Sequence, residues 1–316
     1  MFNPGYYSVP PVCRMKPKKI GLPRAFYYYL YPSLFETFFR ELGFEVVEGG
    51  VSTRKTIETA AAVTEAEHCL PNKLFDGHVE SLKGKADAVF IPRIISMMKG
   101  HIACPRFGAL PDATRAWLND SLPVITIEIN ETKRPIEKTL TALGKQLGAG
   151  GGKAAAAAKK ALDAMREKET AQAAAQKAPA DGKKCLLLGH PYTLADAFIS
   201  DPVLRKLRSL HVPVELVTFE DRGLKPKDIL WCTFHTMHTV LSDLDTDAYA
   251  GVIQISTFNC GADSMMIERF RRLCKRAAIP YMVIMVDEHT GRAGIDTRIE
   301  AFVDSLAWRA ASRERV

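Results

Sequence analysis

The sequence predicts an α/β protein made of two Rossmann-like domains, each a parallel sheet covered by helices. Three observations carry this expectation. Short, largely apolar runs such as Ala86–Ile91, Val252–Ser256 and Tyr281–Val286 have the length and β-branched content of strands buried on both faces. Amphipathic stretches of helical period separate them. The alternation breaks at a stretch rich in Ala and Lys and then resumes, so the chain repeats one architectural theme. The expected division is an N-terminal arm at 1–18, a first α/β domain at 19–143, a helical tether at 144–184 and a second α/β domain at 185–316.

Lys19–Leu22 opens the first domain as a strand, and Pro32–Leu42 follows as a helix closed by Gly43. Phe44–Val47 is a second strand, and a helix starts near Ser52, an acceptable N-cap. Leu70–Leu82 is helical, Ala86–Ile91 a strand, Pro111–Leu118 a helix and Val124–Ile129 a strand. In the second domain Cys185–Leu188, Val214–Thr218, Val252–Ser256 and Tyr281–Val286 are strands. Val203–Ser209, Ser264–Arg276 and Thr297–Trp308 are the helices between and after them. The aromatic run Phe26–Tyr29 with Tyr31 is expected in the core or at an interface rather than in a binding platform.

The tether carries glycines near its start, among them Gly148 and Gly150–Gly152, then the alanine run Ala154–Ala158. Its only large apolar residues are Leu147, Leu162 and Met165. Strong helix formers without an apolar stripe predict an exposed helix or a partly ordered connector, with no chemistry of its own. It also explains the charge. The chain has a formal net charge of +7, and a surplus of five positive charges lies between Gly144 and Lys184. No basic stripe remains on the folded domains, which argues against a nucleic-acid partner. No apolar run reaches the 18 or so residues of a membrane span, and the first twenty residues, broken by Pro4, Pro10, Pro11 and Pro17, do not read as a secretory signal. The expectation is a cytoplasmic protein with no membrane contact.

The seven cysteines are scattered, with no CxxC pair, so neither a disulfide framework nor a zinc knuckle is expected. Cys185 in a strand, Cys274 in a helix and Cys232 beside Trp231 read as small core residues, and Cys13 lies in a Pro-rich arm. Cys69, Cys104 and Cys260 differ because each lies in a loop. Cys260 follows a strand, in Phe258-Asn259-Cys260-Gly261, and ligands of parallel sheets bind beyond the carboxyl ends of strands. Cys69 and Cys260 stand near predicted helix N-termini, where a thiolate is favoured. His190 follows a strand, and Asp287, Glu288 and His289 follow another. His190, Glu288 and His289 are the candidate proton donors, with loop-tying roles as the alternative. His68 is expected to be a neighbour of Cys69 rather than a ligand.

Several stretches together resemble the iron–sulfur proteins of the 2-hydroxyacyl-CoA dehydratase and benzoyl-CoA reductase type, with their activase-related and double-cubane relatives. In the first domain these are Ile20-Gly21-Leu22-Pro23-Arg24, Phe39-Arg40-Glu41-Leu42-Gly43-Phe44, Glu67-His68-Cys69-Leu70-Pro71-Asn72-Lys73, Gly77-His78-Val79-Glu80, Ile91-Pro92-Arg93 and Cys104-Pro105. In the second they are Gly189-His190-Pro191-Tyr192, Phe258-Asn259-Cys260-Gly261-Ala262-Asp263-Ser264 and Asp287-Glu288-His289-Thr290-Gly291. The resemblance implies a [4Fe-4S] cluster held by Cys69, Cys104 and Cys260 in an interdomain cleft, with a double-cubane [8Fe-9S] cluster as the variant. It implies a homodimer that receives low-potential electrons and passes them to a small-molecule substrate such as a 2-hydroxyacyl thioester. Relatives are often longer and carry an activase domain. No P-loop is present in this chain, so the resemblance implies a separate ATP-dependent activase as electron donor. Asn259 stands where the relatives favour Gly, and Arg292 where they favour an acidic residue.

Two other readings stay open on the sequence. One is a non-catalytic electron carrier or accessory subunit that binds the same cluster. The other is a Rossmann-like ligand-binding protein without a cluster, or with zinc at the same thiols; no GxGxxG fingerprint supports its nucleotide-binding form.

Overall fold

A computed structural model describes residues 17–176, 183–217 and 231–313. In chain order the elements are β1 (Lys19–Leu22), α1 (Tyr27–Leu30), α2 (Leu34–Leu42), β2 (Glu45–Glu48), α3 (Arg54–Ala60), α4 (Leu70–Leu82), β3 (Ala88–Phe90) and β4 (Arg93–Ser96). Next come α5 (Pro105–Leu118), β5 (Val124–Ile125), β6 (Glu128–Asn130), α6 (Ile136–Gln146), α7 (Gly151–Gln176), β7 (Lys184–Leu188), α8 (Pro191–Ala195) and α9 (Ala197–Ser209). The last are β8 (Val214–Leu216), α10 (Cys232–Ser242), β9 (Tyr249–Thr257), α11 (Gly261–Arg276), β10 (Tyr281–Val286) and α12 (Arg292–Arg313). Two four-stranded parallel sheets, β2-β1-β3-β5 and β10-β9-β7-β8, and a two-stranded parallel pair, β4-β6, bear out the α/β class with Rossmann-like parallel sheets.

The chain divides into two compact units, but not in sequence order. The first takes residues up to Gly50 together with His78–Glu169; the second takes Val51–Gly77 and the chain from Thr170 onward. This differs from a linear division at the tether, and the reason lies in what Val51–Gly77 touches. Ile57, Leu70 and Leu74 join the apolar core built on β7 and β9. Ser52 Oγ donates to Asp196 Oδ2 at 2.6 Å, the Arg54 guanidinium donates to the Glu288 carbonyl, and the Lys73 ammonium pairs with the Glu288 carboxylate.

Within the first unit, Tyr27, Phe35, Phe38, Phe39 and Phe90 are buried together, with the Phe35 and Phe39 rings about Phe90 at 4.9 and 5.0 Å. Most of the aromatic run serves as core: Phe26, Tyr27 and Tyr31 are buried, while Tyr28 and Tyr29 are half-buried. The expectation of an exposed tether is corrected by α7. Ala154, Ala157, Ala158, Ala161 and Leu162 form a buried face at helical spacing. A Cβ at Gly144 would stand 2.8 Å from that of Ala154, so the absence of bulk on both helices is what lets α6 and α7 approach. Lys153 Nζ donates to the Leu42 carbonyl at 2.8 Å at the end of α2, and Lys160 pairs with Glu41. Alanine supplies too little apolar contrast for this face to be read from sequence.

Two further differences concern the chain between β3 and β6. The single strand expected at Val124–Ile129 is two, because β5 pairs with β3 while β6 pairs with β4. The helix expected from Pro111 begins at Pro105, which occupies the first helical turn where its missing N–H costs nothing, and Pro111 lies inside the helix.

Candidate functional site

The second sheet carries a buried polar group at the carboxyl ends of its two central strands. β7 ends at Leu188, Gly189 follows, and His190 is the N-cap of α8. A side chain at Gly189 would meet Leu194 and the Ile255 carbonyl, so glycine lets β7 turn tightly against β9. β9 ends at Thr257, and the chain turns through Asn259 at φ 61° into Cys260, the N-cap of α11. Asparagine tolerates that left-handed conformation better than most residues. Because β7 and β9 are neighbours, His190 and Cys260 arrive together.

One turn into α11, Asp263 completes the group. Its backbone N–H donates to Cys260 Sγ at 3.5 Å, and one carboxylate oxygen lies 3.2 Å from His190 Nε2. The other accepts a hydrogen bond from Ser256 Oγ at 2.6 Å. Ser256, Asp263 and His190 are all buried. The Tyr192 ring stacks on the imidazole at 4.9 Å, and Phe234 meets it edge-on at 5.1 Å, fixing its plane. Burial alone would pull the His190 pKa down; the Asp263 carboxylate, with the Cys260 sulfur beside it, outweighs burial and pushes it up to about 10. Burial raises the Cys260 thiol, against the opposing pull of His190.

Cys69 belongs to the same unit. It immediately precedes α4, and its carbonyl accepts the first helical hydrogen bonds, from Asn72 and Lys73. Lys73, one turn later, pairs with Glu288 in the loop after β10, the strand beside β9. His68 Nδ1 lies 3.1 Å from the buried Asp76 carboxylate, which also accepts from Thr64 and Asn72. Cys104 is the N-cap of α5 in the first unit. Every cysteine expected as a ligand thus stands directly before a helix, whereas Cys185, Cys232 and Cys274 are buried within elements, as expected of core residues.

The family model described as CoA enzyme activase uncharacterised domain (DUF2229) matches residues 19–219, most of the chain. The chain belongs to that family. As a member it is related to CoA enzyme activases, and the matched stretch takes in Cys69, Cys104 and His190 while ending before Cys260 and Asp263. No curated protein matches the chain. Among solved structures it is similar to the SBP FpvC from Pseudomonas aeruginosa in complex with Mn2+, at 15% identity over 91% of this chain and 98% of that one, with a TM-score of 0.26. A likeness that weak bears on neither fold nor function. No helix among the described residues is long and apolar enough to cross a membrane.

The remaining candidates are placed differently. Burial would raise the Glu288 carboxyl, but the Lys73 ammonium holds it below its usual range, so Glu288 stays ionised and ties α4 to the sheet edge. His289 is 81% exposed, 3.8 Å from Glu288. Asp287 closes its own turn by accepting from Thr290 Oγ1 and the His289 N–H. Asp263 and Ser256 are the members that sequence reasoning missed. The signal was the spacing Cys260-x-x-Asp263 across a helix start, where an N3 acidic residue is ordinarily only a cap.

Proposed function

We propose that this chain is an iron–sulfur component of a CoA-ester activation system of the 2-hydroxyacyl-CoA dehydratase or reductase type, holding a [4Fe-4S] cluster through Cys69, Cys104 and Cys260. The observation that carries the proposal is the common position of these thiols: each directly precedes a helix of thirteen residues or more. The unpaired N–H groups and positive dipole end of a helix stabilise a thiolate and the net negative charge of a cluster. When bound, the cluster would supply one-electron chemistry at low potential. The protein's own part is to hold the thiols, keep the Cys260 surroundings dry and present His190 as a hydrogen-bond donor near sulfur. Membership in the activase family supports work alongside a dehydratase component. The proposal takes a separate ATP-dependent activase as the donor and a homodimer as the working form.

The family's description favours a second reading, in which the chain is itself part of the activase and hands the electron onward. Both readings use the same thiols and part on nucleotide hydrolysis by the purified chain. The test of the cluster is iron and acid-labile sulfide on protein purified or reconstituted without oxygen. About four irons per chain, lost in Cys69→Ala, Cys104→Ala and Cys260→Ala alike, is the expected result. About eight would point to a double cubane. Absence of iron from reconstituted wild type would sink the proposal.

A further inference from the structure

We propose that His190, Cys260 and Asp263 form a binding site for one divalent transition-metal ion, such as Zn2+, Co2+ or Fe2+, with its fourth position open to water or a ligand. The site shares Cys260 with the three-cysteine cluster but uses neither Cys69 nor Cys104, so the single ion and the cluster are alternative occupants of that thiol.

The geometry is that of donors around a single ion. One donor atom from each residue lies within 4.8 Å of the other two. His190 Nε2 and the Asp263 oxygen are 3.2 Å apart, close to the ~3.3 Å edge expected between two ligands bonded at about 2.0–2.1 Å to a tetrahedral ion. A cubane binds each protein ligand through a different iron, which spreads the donors by an iron–iron edge as well.

The imidazole is set for the role. His190 is 4% exposed, and its Nε2 faces the Asp263 oxygen and the Cys260 side with the ring plane fixed by Tyr192 and Phe234. An ion taken up there replaces the proton that Nε2 shares with Asp263 and keeps both buried groups partnered. Charge points the same way. Once the ion displaces the protons of His190 and Cys260, a thiolate and a carboxylate beside a neutral imidazole balance a divalent cation in a place where unpaired anions are expensive.

The surroundings match a metal site in two further respects. Ser256 Oγ holds the second Asp263 oxygen at 2.6 Å, leaving the first directed to His190, as outer hydrogen bonds orient ligating carboxylates. The mixed N, S and O donors select borderline ions over Mg2+ or Ca2+, which take oxygen ligands. Three protein ligands with an open position is the arrangement of reactive rather than structural zinc sites.

The probe is Co2+ alone, titrated into full-length protein stripped of iron and zinc under reducing, oxygen-free conditions. The expected result is about one Co2+ per chain, with thiolate-to-cobalt charge-transfer absorption and the strong visible bands of four-coordinate cobalt. His190→Ala and Asp263→Asn should weaken binding by about a hundredfold or more, and Ser256→Ala by about tenfold. The Cys69→Ala/Cys104→Ala double variant should bind as wild type while losing any cluster. Binding without charge transfer, unchanged affinity in His190→Ala, or loss of binding in the double variant would each overturn the site. Should His190→Ala fail to fold, His190→Gln and Ser256→Ala carry the test, and unchanged affinity in both overturns it. Wild type that binds Co2+ but takes up no iron and sulfide would refute the cluster alone; the reverse would refute this site alone.

Discussion

His78 in the first unit and His190 in the second are buried to nearly the same degree, 1% and 4% exposed, yet they are driven in opposite directions. Burial, assisted by the Arg24 guanidinium, lowers His78 to about 4, although the Gly49 carbonyl at 2.9 Å pulls the other way. His190 is raised instead, because a buried carboxylate faces it. The two units share a parallel-sheet plan and differ in what they bury beside it. The first packs aromatic rings, an alanine helix face and a neutral imidazole. The second buries charge at the carboxyl edge of its sheet. Changes of charge should therefore damage the second unit most, and changes of volume or acidity the first.

The largest effect is expected from Asp263→Ala, which leaves the His190 imidazole facing an uncompensated buried space and strips Ser256 of its acceptor. Unfolding in denaturant at neutral pH should show a loss of about 3–5 kcal/mol. A loss below about 1 kcal/mol would erase the contrast between the two histidines.

Acid should expose His78 next. Its folded pKa of about 4 lies below the ordinary value of 6.5, so the unfolded chain takes up the proton first. The stability tied to the neutral ring is present above about pH 6.5 and is lost as pH falls through about 4, amounting to about 3 kcal/mol. Denaturation at pH 7.5 and pH 4.5 should show this extra acid sensitivity in wild type and lack it in His78→Gln. Equal sensitivity in both would remove His78 from the account.

Volume changes in α7 come third. Ala158→Leu, on the buried face, should cost about 2 kcal/mol by overpacking, while Ala156→Leu on the exposed face should change the unfolding midpoint little. Equal effects would restore the exposed tether. The smallest effect belongs to Asn259. At φ 61°, Asn259→Ala should cost about 1 kcal/mol and Asn259→Gly close to nothing, read as a shift in thermal midpoint.

The strands and most helices were legible in the sequence because apolar period is a local property. Tyr281–Val286 appears in the structure with the same ends, and Leu70–Leu82 likewise. The Ala-rich helix was misread because alanine reports neither exposure nor burial; what decides it is the glycine facing Ala154. The cysteines of interest were visible as loop residues, but the start of α5 at Pro105, which makes Cys104 a cap, was hidden by the more conspicuous Pro111.

By itself, the sequence determined an α/β protein of parallel strands and marked Cys69, Cys104, Cys260 and His190 as residues at element ends. Only the tertiary structure decided that Val51–Gly77 joins the second unit, that Glu288 anchors Lys73, and that Ser256 and Asp263 stand beside His190 and Cys260. The physical reason is that parallel pairing of β7 with β9 joins positions more than sixty residues apart, and no local pattern encodes which strand ends become neighbours.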